Sequence, residues 1–356
     1  MTEIIIATII SFFVCFLMLP VIIRIASSKK LFVPRQYRMV HPEKVSSLGG
    51  IAIFTGVLFV TLFFSDFEDF KEIKYFLAAG SFIFLVGLRD DLKKVRPFDK
   101  LIGQIAAASI IIFLGGLRIE YIESYNEIFH IPHSISYLIS IAVFIWFINA
   151  YNFFDGIDLQ ASLNAVVILI PLGFWFYLTS QYNFSLLLMA TAGSLFAFIF
   201  FNYSPSKIFM GDTGTITIGF ILAFAFIKFI NLNTENLAGD FNIQKPIVYG
   251  ILAFILPLSD SLRVVFTRIF RGSSPFLADK NHLHHLLIHL KWKQNNIAFF
   301  TTSYTTLSII INFFLVKHLE SPFIVLILNI IPLIILYTVI YSKLKSLRAL
   351  KINDNQ

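Results

Sequence analysis

The sequence predicts an all-α, polytopic membrane helix bundle, and two observations support this prediction. Of the 356 residues, 57% are hydrophobic and only 14% are charged, whereas about 25% of the residues of a soluble domain are charged. The hydrophobic residues also lie in long runs, which is typical of helices that cross a bilayer. Since no Ser-, Gly- or Pro-rich linker and no internal repeat divides the chain, we expect one integral membrane domain, residues 1–356.

Eleven apolar runs are candidate transmembrane helices, for which about 16–22 residues suffice, and the third of them is short for a span. They cover residues 3–23, 48–65, 75–88, 101–117, 135–150, 161–179, 185–201, 213–230, 246–264, 296–316 and 322–341. The first run lacks a positively charged start and a small-residue cleavage site, which favours a retained helix over a removed signal peptide. We therefore expect about 10–11 transmembrane helices, and with eleven the two termini lie on opposite sides.

The distribution of positive charge predicts the orientation. Of the 28 Lys and Arg residues, 22 fall in one set of loops with the C-terminal tail, and 6 fall in the other set. Positive charge is retained in the cytoplasm, so the N-terminus is predicted to be outside. The cytoplasmic active-site loops are then about 24–47, 89–100, 149–160, 202–213 and 265–295. The net charge of +7 is explained by topology and anionic ligands, and nucleic acid is a poor explanation for it.

Two adjacent carboxylates, Asp90 and Asp91, follow the third run and stand among Arg89, Lys93 and Lys94. One interpretation is a solvated loop pair balanced by these cations. The other is a site for a divalent metal ion and its phosphates, or a general base for a phosphate monoester. Mg²⁺ prefers oxygen ligands and usually keeps substrate phosphate among them, so the pair suits such a site, but the residues alone leave both interpretations open.

A polar stripe ends the fifth run. It consists of Asn149, Asn152, Asp155 and Asp158, spaced three residues apart. On a helix this spacing places side chains on one face, and such a face is costly in lipid unless it lines a wet cavity. Gly156 interrupts the helical pattern, so the alternative for Asp158 is an N-cap of the next helix.

Asp212 stands between Gly211 and Gly214 at the predicted start of the eighth helix. The free N–H groups and the dipole of a helix start favour anions, so this segment is a candidate for anion binding. A structural N-cap at Asp212 or Thr213 is the alternative interpretation.

The longest polar insert carries three histidines. They are His282, His284 and His285. With Arg268 and Arg271 nearby, they are suited to bind phosphate or sugar oxygens, whereas a zinc site is disfavoured because no Cys or carboxylate pattern accompanies them. The alternative is an interfacial amphipathic helix, since His289 continues a helical spacing.

Four of these segments together resemble a known enzyme family. GLRDDLKK, NAYNFFDGID, KIFMGDTGT and SPFLADKNHLHHLL, in this order, are similar to motifs of the polyprenyl-phosphate N-acetylhexosamine-1-phosphate transferases. These include the WecA- and TagO-type enzymes and the MraY-type translocases. The resemblance extends from about His41 to His285, and the H-x-H-H form of the last motif is similar to the WecA side, since the MraY side has three consecutive histidines.

The resemblance implies a reaction. In this family a polyprenyl phosphate, here expected to be undecaprenyl phosphate, attacks the β-phosphorus of a UDP-N-acetylhexosamine, with UMP as the second product. It implies Mg²⁺, or Mn²⁺ in its place, as cofactor, and a bacterial plasma membrane location. The step would be the first membrane step of a cell-surface polysaccharide pathway, with GlcNAc-1-phosphate as the expected transferred group. The oligomeric state is open, a homodimer included.

The resemblance also implies roles for single residues. Asp90 is similar to the general base or carrier-phosphate positioner, Asp91 to its partner near metal or phosphate, and Asp212 to the metal ligand. Asn152 and Asp155 are expected at the diphosphate. The other implied substrate-binding residues are Gly156, Ile157, Asp158 and Phe209 at the uridine, Arg271, His282, His284 and His285 at the diphosphate or sugar, and the lysines Lys44 and Lys94.

Three departures and two rival functions accompany the resemblance. Leu159 replaces the last glycine of the family pattern D-G-I-D-G, which either alters the helix start or shifts the loop; Thr215 replaces a serine, and the first loop lacks Pro-Arg. One rival is an MraY-type phospho-MurNAc-pentapeptide transferase. The other is a secondary transporter, which would place its carboxylates at mid-bilayer in paired repeats.

Overall fold

The computed structural model of the protein describes residues 1–31, 45–65, 71–124, 127–272, 281–319 and 321–353, and the predicted substrate-binding Lys44 lies outside these residues. The elements are α1 (Thr2–Ser28), α2 (Gly49–Phe64), α3 (Lys71–Leu92), α4 (Pro97–Ser109) with a π-helical turn (Ile110–Gly115), β1 (Tyr121–Ser124), β2 (Glu127–His130), α5 (His133–Phe154), α6 (Gln160–Leu178), α7 (Tyr182–Asn202), α8 (Gly211–Thr234), a 3₁₀ turn (Gly239–Phe241), α9 (Pro246–Ala253), α10 (Ile255–Phe270), α11 (Leu283–His289), α12 (Gln294–His318) and α13 (Pro322–Asn353).

The eleven predicted runs coincide with helices or helix pairs. Within the described residues, eight helices are long and apolar enough to cross a membrane, or nine if the bent pair α9 and α10 is one span. The shorter apolar helix α2 and the 22-residue helix α3 account for the other two runs. Helices satisfy all backbone hydrogen bonds within the segment, as the bilayer requires. The predicted all-α, polytopic membrane fold is therefore confirmed.

The ninth predicted run, 246–264, is a bent pair rather than one straight helix. Its two parts, α9 and α10, are bent by 80°, with Phe254 between them. Pro257 explains the break, because its ring would clash with the carbonyl group of Ala253 in a continuous helix. The bend turns α10 toward the end of the bundle that carries the predicted site.

A short hairpin is the second feature that the hydropathy did not predict. β1 and β2 are antiparallel, with Tyr121 opposite His130. The segment before the hairpin is held by α5, because the Ile119 N–H donates to Ser140 Oγ at 2.8 Å and Ser136 Oγ donates to the Ile119 carbonyl at 2.6 Å. The hairpin is thus a two-stranded sheet in the connection between the π-helical turn and α5.

Helix α8 is the centre of the bundle. Of the apolar 18-residue stretch of α8, 89% is buried inside the protein. The corresponding share for α13 is 17%, so α13 is a lipid-facing helix. A Cβ atom on Gly50 would overlap the backbone of Gly214, and one on Gly87 would lie 2.7 Å from Cα of Thr213. Helices α2 and α3 thus make backbone contact with the first turn of α8, which brings the end of α3 beside Asp212.

A cavity of about 600 Å³ lies between α6, α8, α9 and α12. Its walls are apolar and aromatic, with Trp175, Phe226 and Phe229 among them, and the segment 240–244 and Lys317 contribute its polar part. None of the predicted site residues lines it. The cavity is therefore distinct from the site described below.

The predicted orientation can be tested with two introduced cysteines. A cysteine at Ser124 is expected to react with a membrane-impermeant maleimide in intact cells, whereas a cysteine at Asn281 is expected to react only after permeabilisation. The reason is the 22-to-6 partition of positive charge between the two sides. The native Cys15 is buried, so its background labelling should be low. Labelling of both cysteines, or of Asn281→Cys alone, in intact cells would contradict the orientation.

Candidate active site

The ends of α3, α5 and α8 meet at one end of the bundle, and Asp91 joins two of them. Its Oδ1 accepts from the Asp212 N–H at 3.0 Å, and its Oδ2 accepts from the Thr213 N–H at 2.8 Å and the Thr213 hydroxyl at 2.5 Å. Gly211 has a φ of +71°, and a Cβ atom there would overlap the Ser47 carbonyl oxygen and lie 2.6 Å from Asp91 Oδ2. Asp91 therefore caps the start of α8 from a neighbouring helix.

Asp212 is held by one amide and one ammonium group. Asn152 Nδ2 donates to Asp212 Oδ1 at 2.8 Å and to Thr215 Oγ1 at 2.7 Å. Lys100 Nζ donates to Asp212 Oδ2 at 2.7 Å. Thr215, which replaces the serine of the family pattern, thus still provides a hydroxyl group at the contact between α5 and α8.

Asp90 shares Lys100 with Asp212. It is 5% exposed, its Oδ1 accepts from the Val95 N–H at 2.6 Å, and its Oδ2 lies 3.6 Å from Lys100 Nζ. Lys94 Nζ is 3.7 Å from the same oxygen, but its side chain is 82% exposed, against 14% for Lys100. Lys100 is therefore the buried cation of the site. The sequence showed it only as one of several loop cations, because its partner Asp212 is 112 positions away.

Both carboxylates past the apolar run of α3 have a raised pKa. Burial raises the pKa of Asp90 above its usual range, and the neighbouring Asp212 adds to this effect, while the Val95 N–H and Lys100 oppose it. Burial, with the charge of Asp212, raises the pKa of Asp91 to about 6, against the opposing hydrogen bonds from Thr213 and Asp212. The site thus concentrates more negative charge than it can neutralise with Lys100 alone.

Asp212 and Asp90 supply carboxylate oxygens, the type of ligand that a hard divalent cation prefers. The Lys100 ammonium group already lies between Asp212 and Asp90, at a position where positive charge is favourable. No group of three His, Cys, Asp or Glu side chains suited to a metal ion occurs among the described residues. This pattern is compatible with Mg²⁺, which keeps water and substrate phosphates in its coordination shell. Both oxygens of Asp91 and both oxygens of Asp212 accept hydrogen bonds in this structure, so the role of either residue as a metal ligand stays a prediction.

The turn after α5 contains the predicted uridine and diphosphate residues. Helix α5 ends at Phe154, with Asp155 in the C-cap position. A Cβ atom on Gly156 would overlap Nε2 of His284, so the glycine is needed for this imidazole to lie against the backbone. Ile157, Asp158 and Phe209 are all buried. The structure therefore brings the turn and the histidine motif into direct contact.

Leu159 keeps the backbone conformation that a glycine would adopt. It has φ +68° and ψ −23°, is the N-cap residue of α6 and is 1% exposed. Its N–H donates to Asn202 Oδ1 at 2.8 Å, and Asn202 Nδ2 donates to the Ile208 carbonyl at 2.9 Å. Asn202, which sequence reasoning did not single out, therefore links the turn to the residue before Phe209. Since Leu159 occupies the N-cap, the alternative of Asp158 as the cap is wrong.

Two substitutions at Leu159 are expected to separate backbone strain from packing. Leu159→Ala should destabilise the protein by about 2–5 kcal/mol, because it leaves a cavity and keeps the left-handed backbone. Leu159→Gly removes one more carbon but relieves about 1 kcal/mol of strain. The thermal midpoint of the glycine variant in detergent should therefore equal or exceed that of the alanine variant. A clearly lower midpoint for glycine would show that the backbone is not strained.

The three histidines lie together at the start of α11. The rings of His282 and His284 are parallel with centroids 5.9 Å apart, and those of His284 and His285 are 4.3 Å apart. His282 and His284 are buried. Arg271 is exposed at the C-cap of α10.

These groups define the class of protein. Carboxylates, a buried lysine, amides and imidazoles gather at one end of a membrane helix bundle, where a lipid phosphate and a water-soluble phosphate ester can both arrive. Cations and carboxylates in this arrangement suit the positioning and charge stabilisation on which phosphoryl transfer depends. The fold and site are therefore those of a multi-pass membrane protein whose polar cluster suits phosphoryl transfer.

The comparisons with known proteins give the family. Residues 73–230 match the model of glycosyl transferase family 4. The chain is 30% identical over 277 residues to a decaprenyl-phosphate N-acetylglucosaminephosphotransferase of Mycobacterium leprae, covering 72% of this chain and 69% of the relative. The chain belongs to glycosyl transferase family 4, and the resemblance inferred from the four motifs is confirmed.

Two further relatives represent the two sides of the family. A probable undecaprenyl-phosphate N-acetylglucosaminyl 1-phosphate transferase of Bacillus subtilis is 27% identical over 291 residues, covering 81% of this chain and 78% of the relative. A phospho-N-acetylmuramoyl-pentapeptide-transferase of Streptococcus uberis is 32% identical over 238 residues, covering 61% of this chain and 70% of the relative. Sequence similarity thus extends both to an N-acetylglucosaminyl 1-phosphate transferase and to a phospho-N-acetylmuramoyl-pentapeptide-transferase.

Proposed function

We propose that the protein transfers N-acetylglucosamine-1-phosphate from UDP-N-acetylglucosamine to undecaprenyl phosphate, with UMP as the second product, in the plasma membrane of a bacterium. The observation that carries this proposal is the cluster of Asp90, Lys100, Asn152 and Asp212 at one end of the bundle. A lipid acceptor reaches this end from the bilayer, and a cytosolic nucleotide sugar reaches it from water. The mycobacterial and Bacillus relatives, named as polyprenyl-phosphate N-acetylglucosamine phosphate transferases, support the same chemistry.

Asp212 would hold the Mg²⁺ or Mn²⁺ ion, with Asp90 facing the same position. When bound, the ion supplies positive charge to the phosphate oxygens during transfer. Asn152 orients the Asp212 carboxylate through the bond to Oδ1. Asp91 keeps the first turn of α8 in place, so that Asp212 projects from a fixed backbone.

The acceptor and the donor use different parts of the site. Lys100, with Lys94 at the surface, would bind the phosphate of the carrier lipid and place it beside Asp90. On the donor side, Phe209 would stack on uracil. The turn from Asp155 to Asp158 and the imidazoles of His284 and His285 would then contact the ribose, diphosphate and sugar. The contact of His284 with Gly156 supports this division, because it places an imidazole over the donor turn.

Asp90 acts on the acceptor, and this predicts a pH-dependent variant. A phosphate monoester has a second pKa of about 6, so above about pH 7 the acceptor is mostly dianionic and needs no base. Asp90→Asn is therefore expected to lose about 100-fold in transfer rate at pH 6.5 and clearly less at pH 9. Transfer assays at the two pH values check this, with Asp212→Asn as the variant whose loss should be similar at both. An equal loss for Asp90→Asn at both values would contradict the role of Asp90 as a base.

The function is tested by transfer of radiolabel into butanol-extractable lipid. Membranes that contain the chain and added undecaprenyl phosphate should incorporate label from UDP-N-acetylglucosamine. The specific alternative is UDP-MurNAc-pentapeptide as donor, which the similarity to the streptococcal relative makes worth testing. Incorporation from the pentapeptide donor alone would replace the proposed function with that alternative, and incorporation from neither would refute both.

A further inference from the structure

Another buried carboxylate, Asp260, lies outside the cluster of Asp90, Lys100 and Asp212. It is on α10 and is 2% exposed. Its Oδ1 accepts from the Leu283 N–H at 3.1 Å, from Arg263 Nη2 at 2.8 Å and from the Tyr337 hydroxyl at 2.8 Å. Its Oδ2 lies 2.8 Å from His282 Nδ1. A buried charge of this kind persists only when it is paired and hydrogen-bonded, and here the partners come from α10, α11 and α13.

The surroundings of Asp260 fix its geometry from several sides. The Arg263 guanidinium group lies 4.4 Å from the centroid of the Tyr337 ring and also donates to the Tyr341 hydroxyl at 2.8 Å and to the Asn281 carbonyl oxygen. Three donors therefore converge on Oδ1, while Oδ2 is directed at His282. Oδ1 of Asp260 therefore anchors the carboxylate, and Oδ2 contacts a residue of the histidine motif.

His282 stands next to the donor turn. Its ring centroid lies 5.6 Å from that of Phe153, which directly follows Asn152. The same ring is parallel to His284, whose Nε2 lies against Gly156. With Nδ1 engaged by Asp260, Nε2 is the ring nitrogen through which His282 can meet a ligand.

We propose that Asp260 is a positioning residue, which holds the imidazole ring of His282 through Nδ1 so that Nε2 is presented to the nucleotide-sugar donor. This inference rests on the proposed function. A carboxylate bonded to one ring nitrogen fixes the orientation of an imidazole. The orientation of a residue in the histidine motif is thus set by α10, a helix outside the four sequence motifs.

The test compares two substitutions around one carboxylate. In Asp260→Asn the amide oxygen is held by the three donors at Oδ1, so the NH₂ group faces Nδ1 and cannot accept a hydrogen bond from an N–H there. We expect a KM for UDP-N-acetylglucosamine about tenfold higher and a kcat about tenfold lower. Tyr337→Phe removes one hydrogen bond at Oδ1 but keeps the charge and the bond to His282. Its kcat and KM should stay within about twofold of the wild type, and the thermal midpoints of both variants report any structural damage.

A double-mutant cycle shows whether Asp260 acts through His282. In the His282→Ala background, Asp260→Asn is expected to change kcat and KM by less than about twofold, because the residue that it positions is absent. A full additional loss in that background, or unchanged kinetics for Asp260→Asn alone, would overturn the inference while the proposed function stands. A wild-type chain that transfers no sugar phosphate would overturn the proposed function and, with it, this inference.

Discussion

Replacing Asp212 by asparagine is expected to lower the rate of sugar-phosphate transfer by about a thousandfold or more. The substitution keeps the shape of the side chain but removes the charge that would hold Mg²⁺, and it leaves Lys100 with Asp90 as its remaining carboxylate partner. The protein should still fold and insert, because Asp91 caps the first turn of α8 through backbone N–H groups that the substitution does not change. Radiolabel transfer at saturating Mg²⁺ measures the effect.

Asp99→Asn is the matched control for this experiment. Asp99 is a carboxylate on the same end of the bundle, but it is half exposed and pairs with the exposed Arg96. Surface pairs of this kind contribute about 0–1 kcal/mol, so transfer and thermal midpoint should both be close to the wild type. Near-normal transfer by Asp212→Asn at low Mg²⁺ would show that Asp212 is not the metal ligand.

The second large effect is expected for Lys100→Gln, with a loss of about 100-fold to 1000-fold in transfer. Lys100 is the buried cation between Asp90 and Asp212, and the proposed mechanism also uses it for the acceptor phosphate. Its removal leaves the buried Asp90 and the partly buried Asp212 without their shared countercharge. Because the lysine side chain is still 14% exposed, we expect a destabilisation of about 2–3 kcal/mol, at or below the lower end for a broken buried pair.

Lys93→Gln controls for the loss of one positive charge from the same segment. Lys93 is exposed near the end of α3, so its substitution should change transfer by less than about threefold. Added Mg²⁺ should partly restore the thermal midpoint of Lys100→Gln, because a bound cation replaces part of the missing charge. If both lysine variants keep the same activity, Lys100 has no special role in the site.

Much of the fold was predictable because a bilayer imposes a simple rule. An apolar segment of sufficient length must form a helix to satisfy its backbone, so the eleven runs located the helices without any knowledge of their packing. The bend between α9 and α10 was not predicted. The run was located by its mean hydropathy, and a single proline such as Pro257 hardly changes that mean. The hairpin was missed for a related reason, because its strands are short and carry no strong alternation.

The site was predictable where motif residues are neighbours in the chain. Asp90, Asp91, Asp155, Asp212 and the histidines stand in short polar segments that interrupt apolar runs, and such segments are costly unless they have a function. Lys100, Asn202 and Asp260 were missed, because each acts on a partner that lies far away in the sequence. Asn202, for example, reaches Leu159 across 43 positions.

The amino-acid sequence alone predicted a polytopic helix bundle and the polar segments that share one end, and it predicts an orientation, because hydrophobicity and charge are properties of single residues and short runs. Which atoms meet depends on how the helices pack. Packing made Asp91 a cap of α8, placed Lys100 between two carboxylates and directed Asp260 at His282. It also kept Leu159 in a glycine-like conformation. Hydrogen bonds and ion pairs form only within a few ångströms, and the folded chain, not the order of its residues, sets those distances.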